Sequence, residues 1–201
     1  MKIIYSLIIA ILIPTFSFAG QVEVASSVEK YLNGLTSLTA DFSQSDSEGN
    51  LSGGKFYLKR PGKFKWEYDK RQPLLIVSDG KQLVYYDKTL KEVTYASTKD
   101  TLANFLSKPV IKFSGDVKLI SATRTKNLVT VVVTQKSKPE EGKLRMYFAA
   151  NPMQIIGLDV IDQYENTTKI SFRNIISGSA LANDLFVFKN PKFGKNVWEK
   201  K

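Results

Sequence analysis

Apolar and polar residues alternate almost strictly between Lys55 and Asp87, in the runs FYLKRPGKFKWEYDK and LLIVSDGKQLVYYD. Successive side chains of a β-strand point to opposite faces, so Phe64, Trp66 and Tyr68 fall on one face and charged residues on the other. The pattern predicts short antiparallel strands with one apolar and one charged face. An apolar face must be buried, which favours a sheet curled into a barrel or folded into a sandwich.

One cation lies in line with the apolar residues of this pattern. In the strand before Pro61, the alternation places Phe56, Leu58 and Arg60 on the same side. A guanidinium there needs acceptors for its donors. The unpaired carbonyls at a helix C-terminus suit it, because they carry partial negative charge. The alternative is a solvated turn at Lys59–Pro61, in which the arginine bends away from the sheet.

Two helices are predicted, one before the strands and one among them. The first spans Val22–Leu35, and its apolar residues recur at helical spacing: Ala25, Val28, Leu32 and Leu35. The second is short, with Asp100 as its cap and Pro109 preventing its continuation beyond Ser107. Its apolar face consists of Leu102, Phe105 and Leu106.

The other predicted elements are strands, about ten or eleven in all. Turn signals separate them: Pro61-Gly62, Asp79-Gly80 and the polar segment Asp46–Gly54. The predicted strands cover residues 38–43, 56–60, 63–69, 74–78, 81–87, 117–123, 128–135, 143–149, 154–162, 168–176 and 185–188. Strands this short, joined without long crossover helices, indicate a mainly β, antiparallel sheet.

The first 19 residues have the layout of a secretory signal peptide. Lys2 precedes an apolar run, Ile3–Ile13, and Ser17-Phe18-Ala19 precedes the predicted cleavage site after Ala19. A membrane anchor would need about 20 apolar residues, more than this run provides. Residues 20–201 suffice for a single domain with a sizeable core.

The chain contains no cysteine and no histidine, which excludes a disulfide framework and the most common nucleophiles, general bases and zinc ligands. We therefore expect no enzyme activity, no metal and no cofactor. A catalytic group of carboxylates would have to use Asp159, Asp162 and Glu165, but Asp159 and Asp162 face opposite sides of a strand. The charged residues behind the net charge of +10 are mostly interpreted as solvated strand faces; the alternative is a basic surface that favours anionic membrane surfaces or acidic partners. Nucleic acid is not an expected partner of an exported chain.

An ordered set of segments resembles the LolA family of periplasmic lipoprotein carriers. The set comprises an N-terminal helix, a first strand with Phe42 and Gln44, the K-R-P turn, the V-S-D-G-K hairpin, a mid-chain helix and a closing F-V-F segment before Pro191. The resemblance extends over nearly the whole chain after the signal peptide. It implies an incomplete, half-open antiparallel barrel with a lid of short α-helices, and a hydrophobic cavity for acyl chains.

The resemblance also implies roles for particular residues. Arg60 coincides with the arginine that hydrogen-bonds to the lid helices in this family and favours the closed, empty state. The expected acyl-chain cavity is lined by Phe42, Phe56, Leu58, Phe64, Trp66 and Tyr68, and the expected lid residues are Leu102, Phe105 and Leu106. From the residues alone, a packed core is the favoured interpretation of an apolar face of this kind, and the sequence does not distinguish it from the wall of a cavity.

The partners implied are acylated lipoproteins, an inner-membrane ABC transporter that releases them and, if present, an outer-membrane receptor. The implied protein is a periplasmic monomer. The alternative interpretation is a periplasmic binding protein of the same fold for another lipid or a glycolipid.

Overall fold

The structure is a computed structural model that describes residues 18–70, 72–97 and 102–191. One α-helix, α1 (Phe18–Gly34), precedes a series of strands: β1 (Ser37–Ser45), β2 (Leu51–Lys59), β3 (Lys63–Tyr68), β4 (Leu74–Asp79), β5 (Leu83–Asp87), β6 (Glu92–Ala96), β7 (Val117–Arg124), β8 (Leu128–Gln135), β9 (Gly142–Ala150), β10 (Met153–Asp162) and β11 (Thr167–Ser177). Three 3-10 helices occupy Leu102–Ser107, Pro139–Glu141 and Asn183–Phe186.

All eleven strands form one antiparallel sheet in the order β6-β5-β4-β3-β2-β1-β11-β10-β9-β8-β7. The sheet does not close, because β6 and β7 are its two edges and do not pair with each other. The predicted half-open antiparallel barrel is therefore confirmed. Its concave face carries the main core, and lysines of β2 and β3 lie on the convex face.

Helix α1 covers part of the open side, where it packs mainly against β7 and also against β10. The residues that predicted this helix by their spacing, Ala25, Val28, Leu32 and Leu35, are all buried. The rest of the cover comes from the connection between β6 and β7. We call residues 102–116 of this connection the crossing segment.

The predicted mid-chain α-helix is a 3-10 helix, Leu102–Ser107. The carbonyl of Ser107 accepts a hydrogen bond from the Gly62 backbone, and the next carbonyl, that of Lys108, accepts from Arg60. These carbonyls are satisfied from outside the helix. A helix of six residues can form few α-helical hydrogen bonds between residues four apart, so the tighter 3-10 pattern is common in helices this short. The predicted cap, Asp100, lies outside the described residues.

One strand prediction was wrong, and one strand was missed. Residues 185–188 form the end of a 3-10 helix and irregular chain, although Phe186 and Phe188 are both buried. Their alternation therefore reflects burial against the sheet and not strand pairing. Strand β6 was not predicted, because its sequence is short and little of it is buried.

The turn predicted over Asp46–Gly54 is shorter, because β2 already begins at Leu51. Gly53 and Gly54 lie inside the strand where neighbouring backbones approach closely. A Cβ atom at Gly54 would lie 2.0 Å from the Glu67 carbonyl oxygen. The two glycines therefore mark close strand packing and not a turn. The predicted signal peptide falls mainly on residues 1–17, outside the described part of the chain, and remains a prediction.

Candidate functional site

Arg60 follows β2 and contacts the C-terminal end of α1 and the middle of the crossing segment. Its Nη1 donates to the Leu32 carbonyl and, at 3.4 Å, to the Leu35 carbonyl, at the C-terminal end of α1. Its Nε and Nη2 donate to the Lys108 carbonyl at 2.8 and 2.5 Å, and Nη2 also reaches the Pro109 carbonyl at 3.3 Å. One guanidinium thus joins α1 to the crossing segment.

The carbonyl oxygens around Arg60 carry partial negative charge and therefore favour a side chain that is always positively charged. The last carbonyls of a helix lack partners within the helix and lie at its partially negative end. Burial lowers the pKa of Arg60, but a guanidinium remains protonated under all ordinary conditions. The sequence alternative of a solvated turn does not describe this arginine.

Two side chains of α1 hold the crossing segment directly. Asn33 forms a reciprocal pair with the Ile111 backbone: its Nδ2 donates to the carbonyl at 2.8 Å and its Oδ1 accepts from the N–H at 2.9 Å. One turn earlier on the helix, the Glu29 carboxylate accepts a hydrogen bond from the Phe113 N–H. These contacts were not predicted, since the sequence pattern indicated only the end of a helix here.

Tyr31 fixes the other side of α1 to the sheet. Its hydroxyl accepts a hydrogen bond from the Ile155 N–H at 3.1 Å, where a register shift interrupts the pairing of β9 and β10. Its ring meets Phe148 edge-on, with centroids 5.8 Å apart. Burial raises the pKa of the Tyr31 phenol, while the bond from Ile155 acts in the opposite direction.

An aromatic cluster forms the concave wall below the cover. Trp66 lies at its centre, with the ring centroids of Phe42 and Phe56 at 4.9 and 4.2 Å. Phe172 of β11 extends the cluster, at 5.5 Å from Phe56. These residues come together because β3, β2, β1 and β11 are neighbours in the sheet and present alternate side chains to the concave face.

A central cavity of about 110 Å³ lies beside this cluster. Its lining is almost wholly apolar and is drawn from several strands of the barrel and the crossing segment: Phe64, Trp66, Tyr68, Ile76, Leu83, Tyr85, Leu106, Leu144, Leu158, Val160 and Ile170. Cavities that enclose drug-sized ligands are usually larger, about 300–1,000 Å³. The central cavity therefore has little space for a ligand in this structure.

The residues predicted to line a cavity divide into two groups. Phe64, Trp66 and Tyr68 line the central cavity, whereas Phe42, Phe56 and Leu58 are buried outside its lining. Most of the other lining residues come from strands whose position on the concave face could not be derived from β2 and β3 alone. The alternation within each strand shows which of its residues share a face. Only the order of the strands in the sheet shows that these faces line the same cavity.

The predicted lid residues also differ in their positions. Leu106 closes the cavity from the side of the crossing segment, and Phe105 is buried against Phe113 with ring centroids 6.1 Å apart. Leu102 belongs to the same 3-10 helix, but its side chain lies outside the described residues.

The candidate catalytic carboxylates are dispersed. The buried Asp159 accepts hydrogen bonds from the Tyr147 hydroxyl at 2.7 Å and from Arg145 at 3.3 Å. Asp162 instead accepts backbone hydrogen bonds in the turn after β10, and Glu165 pairs with Lys143 at 2.9 Å. Among the described residues, no three metal-ligating side chains cluster in a way that could hold an ion.

No helix in the described ranges is long and apolar enough to cross a membrane.

Fold and site together define a class of protein: an incomplete β-barrel whose apolar concave face lies under a hydrogen-bonded cover. Residues 33–189 match the family described as "Outer membrane lipoprotein carrier protein LolA". The chain belongs to the LolA family, as its ordered set of segments indicated.

Individual relatives support this membership. A protein of Methylococcus capsulatus named outer-membrane lipoprotein carrier protein is 32% identical over 198 residues, covering 92% of this chain and 93% of the relative. A protein of the same name from Legionella pneumophila is 30% identical over 176 residues, covering 84% of this chain and 86% of the relative.

A crystal structure supports the fold. An uncharacterised conserved protein from Thermus thermophilus superimposes with a TM-score of 0.53 over 88% of this chain and 97% of that one. Its sequence is 12% identical, so the likeness concerns the fold alone.

Proposed function

We propose that this chain is a periplasmic carrier, which shelters the acyl chains of lipoproteins on their way from the inner to the outer membrane. The observation that carries the proposal is the Arg60 guanidinium, which joins α1 and the crossing segment over an apolar concave face. Membership of the LolA family supports the same function.

The physical need for such a shelter is large. Moving an acyl chain from a membrane into water costs about 0.8 kcal/mol per methylene group. A lipoprotein with several chains therefore cannot cross an aqueous compartment at a useful rate unless a protein covers them. The concave face of this sheet offers apolar surface of the required kind.

Loading requires the cover to move. The central cavity of about 110 Å³ is too small for an acyl chain, and Leu106 of the crossing segment lines it. Displacement of the crossing segment would remove Leu106 and expose the wall formed by Phe64, Trp66 and Tyr68. Phe42, Phe56 and Leu58 would support that wall from the neighbouring strands, and Phe105 would leave together with Leu106.

Arg60 would make loading reversible. Its hydrogen bonds stabilise the empty form, so part of the free energy of cargo binding is used to break them. The cargo is then held less tightly than the cavity alone would hold it. An acceptor of moderate affinity can remove it without any energy source of its own.

The partners follow from this cycle. An inner-membrane ABC transporter would deliver acylated lipoproteins to the opened cavity, and an outer-membrane receptor, where one exists, would accept them. A monomer suits this role, because one open side must meet two different proteins in turn. No step in the cycle requires catalysis or a cofactor.

The proposal can be tested with inner-membrane vesicles that contain the transporter and a labelled lipoprotein. Mature protein is added with or without ATP, and the soluble fraction is examined for label bound to the protein. ATP-dependent soluble complex is the expected result. If folded protein releases no label from active vesicles, the lipoprotein function is wrong, and extraction of the purified protein would identify any other lipid or glycolipid ligand.

A further inference from the structure

A second, larger cavity lies on the convex face, on the opposite side of the sheet from the central cavity. Its volume is about 530 Å³. The floor consists of Leu75 and Val77 of β4 and Tyr86 of β5, and residues 180–189 form one wall. Ile76, between the two floor residues of β4, points to the central cavity instead. We call this second cavity the convex groove.

The convex groove has an apolar floor that is separate from the main core. Val77, Val84, Tyr86 and Phe188 form their own buried cluster. The rings of Tyr86 and Phe188 lie 5.3 Å apart, which holds the C-terminal wall against the sheet. The groove is therefore supported by residues that play no part in closing the concave face.

Lysines surround this apolar floor. Lys65, Lys88 and Lys189 line the groove, together with a single carboxylate, Asp184. Lys65 and Lys88 share the carboxylate of Glu67, at 3.0 and 3.7 Å. Within the described part of the chain, Lys189 makes no ion pair.

Two more lysines lie behind the wall. Lys59 and Lys63 are directly opposite each other on β2 and β3, an arrangement in which like charges repel. Both amines donate to the neutral Asn183 Oδ1, at 2.9 and 3.0 Å, and Lys59 also donates to the Leu181 carbonyl at 2.5 Å. The region thus carries more positive charge than its own carboxylates neutralise.

We propose that the convex groove binds one medium-chain fatty acid, with the acyl chain along the half-buried Leu75 and Leu181 and the carboxylate near Lys189. The volume lies within the usual range for a single small ligand, about 300–1,000 Å³. The apolar floor supplies most of the affinity, and the excess of amines selects an anionic head group. This site goes beyond the proposed carrier function, because it lies on the other face of the sheet.

The test is calorimetric titration of the full mature protein with laurate below its micelle concentration. Monolaurin, a neutral lipid with the same chain, and inorganic phosphate serve as comparison probes. We expect laurate to bind at least ten times more tightly than monolaurin, and phosphate not to bind measurably. Leu75→Glu and Lys189→Glu should each weaken laurate binding at least tenfold.

Lys126→Glu is the matched control, because Lys126 is exposed in the turn between β7 and β8 and its substitution makes the same change in net charge as Lys189→Glu. It should alter laurate affinity by less than twofold. Equal affinity in all variants would assign laurate to another site, such as the central cavity, and overturn the proposal. Absence of laurate binding, or equal binding of monolaurin, would also overturn it. None of these outcomes depends on lipoprotein release from vesicles.

Discussion

Phe42 of β1 and Tyr68 of β3 meet edge-to-face across Gly54, although β2 lies between their strands. Their ring centroids are 5.0 Å apart and their planes differ by 82°. Both are register partners of Gly54, whose missing side chain leaves room for the contact. The Tyr68 hydroxyl then donates to Gln44 Oε1 at 2.9 Å. The contact fixes three strands at the wall of the central cavity.

Gly54→Ala should therefore destabilise the protein. The new Cβ would meet the Glu67 carbonyl oxygen at 2.0 Å, so the backbone of β2 or β3 must move. We expect the free energy of unfolding to fall by about 1–3 kcal/mol or more in urea denaturation. Gly34→Ala is the control, since nothing lies within 4 Å of its added Cβ and alanine favours helices. Equal stability of the two variants would contradict the packing argument.

Arg60→Leu should open the cover. The substitution removes the guanidinium, which donates hydrogen bonds to the carbonyls of Leu32 and Lys108. Each hydrogen bond from a charged group contributes about 1.5–3 kcal/mol to stability. We expect hydrogen exchange at the Ile111 and Phe113 amides to accelerate at least tenfold. In the vesicle assay, cargo should load but be delivered less readily.

Arg124→Leu is the matched control for this experiment. Arg124, the last residue of β7, also donates to a carbonyl, that of Ala150 at 3.2 Å, but this acceptor belongs to the turn between β9 and β10 and not to the cover. Exchange at Ile111 and Phe113 should remain unchanged in this variant. If Arg60→Leu leaves exchange, loading and delivery as they are, Arg60 has no role in closing the cover.

The sequence was sufficient to predict the sheet, and a period of two placed Arg60 in line with the apolar residues. The period did not exclude a solvated turn at Arg60, and only the resemblance to the LolA family favoured a contact with the covering segments. The same rule failed at Phe186 and Phe188, because alternation records burial and does not require a neighbouring strand. Strand β6 was missed for the converse reason: it pairs with β5 but buries too little to show a pattern.

The cavity could be predicted only in part, because it depends on distances between strands far apart in the chain. Phe64, Trp66 and Tyr68 belong to one strand and were found from its pattern, whereas Leu144 and Val160 come from the other half of the sheet. The roles of Asn33 and Glu29 were also hidden. Their partners are backbone groups of a segment about eighty residues later, which no local pattern connects to the helix.

Asn33→Ala should loosen the crossing segment while Arg60 remains in place. It removes both bonds of the reciprocal pair and leaves the Ile111 N–H and carbonyl without their partners, while Arg60 loses only its long bond to Asn33 Oδ1, at 3.5 Å, and keeps those to backbone carbonyls. We expect exchange at the Ile111 amide to accelerate at least tenfold, with a smaller effect at Phe113, which bonds to Glu29. Asn33→Asp should retain the bond from the N–H and the contact with Arg60 Nη2, but it turns an acceptor oxygen towards the Ile111 carbonyl, so exchange at Ile111 should accelerate less than in Asn33→Ala. A uniform effect on both amides in all variants would indicate global destabilisation.

Val160→Phe tests whether the central cavity receives the cargo. Val160 lines the cavity of about 110 Å³, and the larger side chain would fill part of it. We expect less lipoprotein in the soluble complex, with a melting temperature that is unchanged or higher, because filling a void adds packing contacts. Ile176→Phe is the control, as Ile176 is 57% exposed on β11. Normal loading of a stable Val160→Phe variant would place the acyl chains elsewhere.

The Lys108–Asp116 pair should make the end of the crossing segment sensitive to acid. The hydrogen bond from Lys108, at 2.7 Å, together with its charge, lowers the pKa of Asp116. The unfolded carboxyl, with a pKa of about 3.9, therefore takes up its proton at a higher pH than the folded one. The stabilisation is complete above the unfolded pKa and is lost as the pH falls through the folded pKa.

This pair is exposed, so its contribution should not exceed about 1 kcal/mol and should decrease with salt. Carboxyl NMR titration should place the midpoint of Asp116 below about 3.9, the ordinary value for aspartate, and Lys108→Met should return it to about that value. Asp46 provides an internal reference, because its lowered pKa depends on Asn50 and not on a lysine. A midpoint of Asp116 that does not respond to Lys108→Met, or that shifts together with Asp46, would show that the pair does not form in solution.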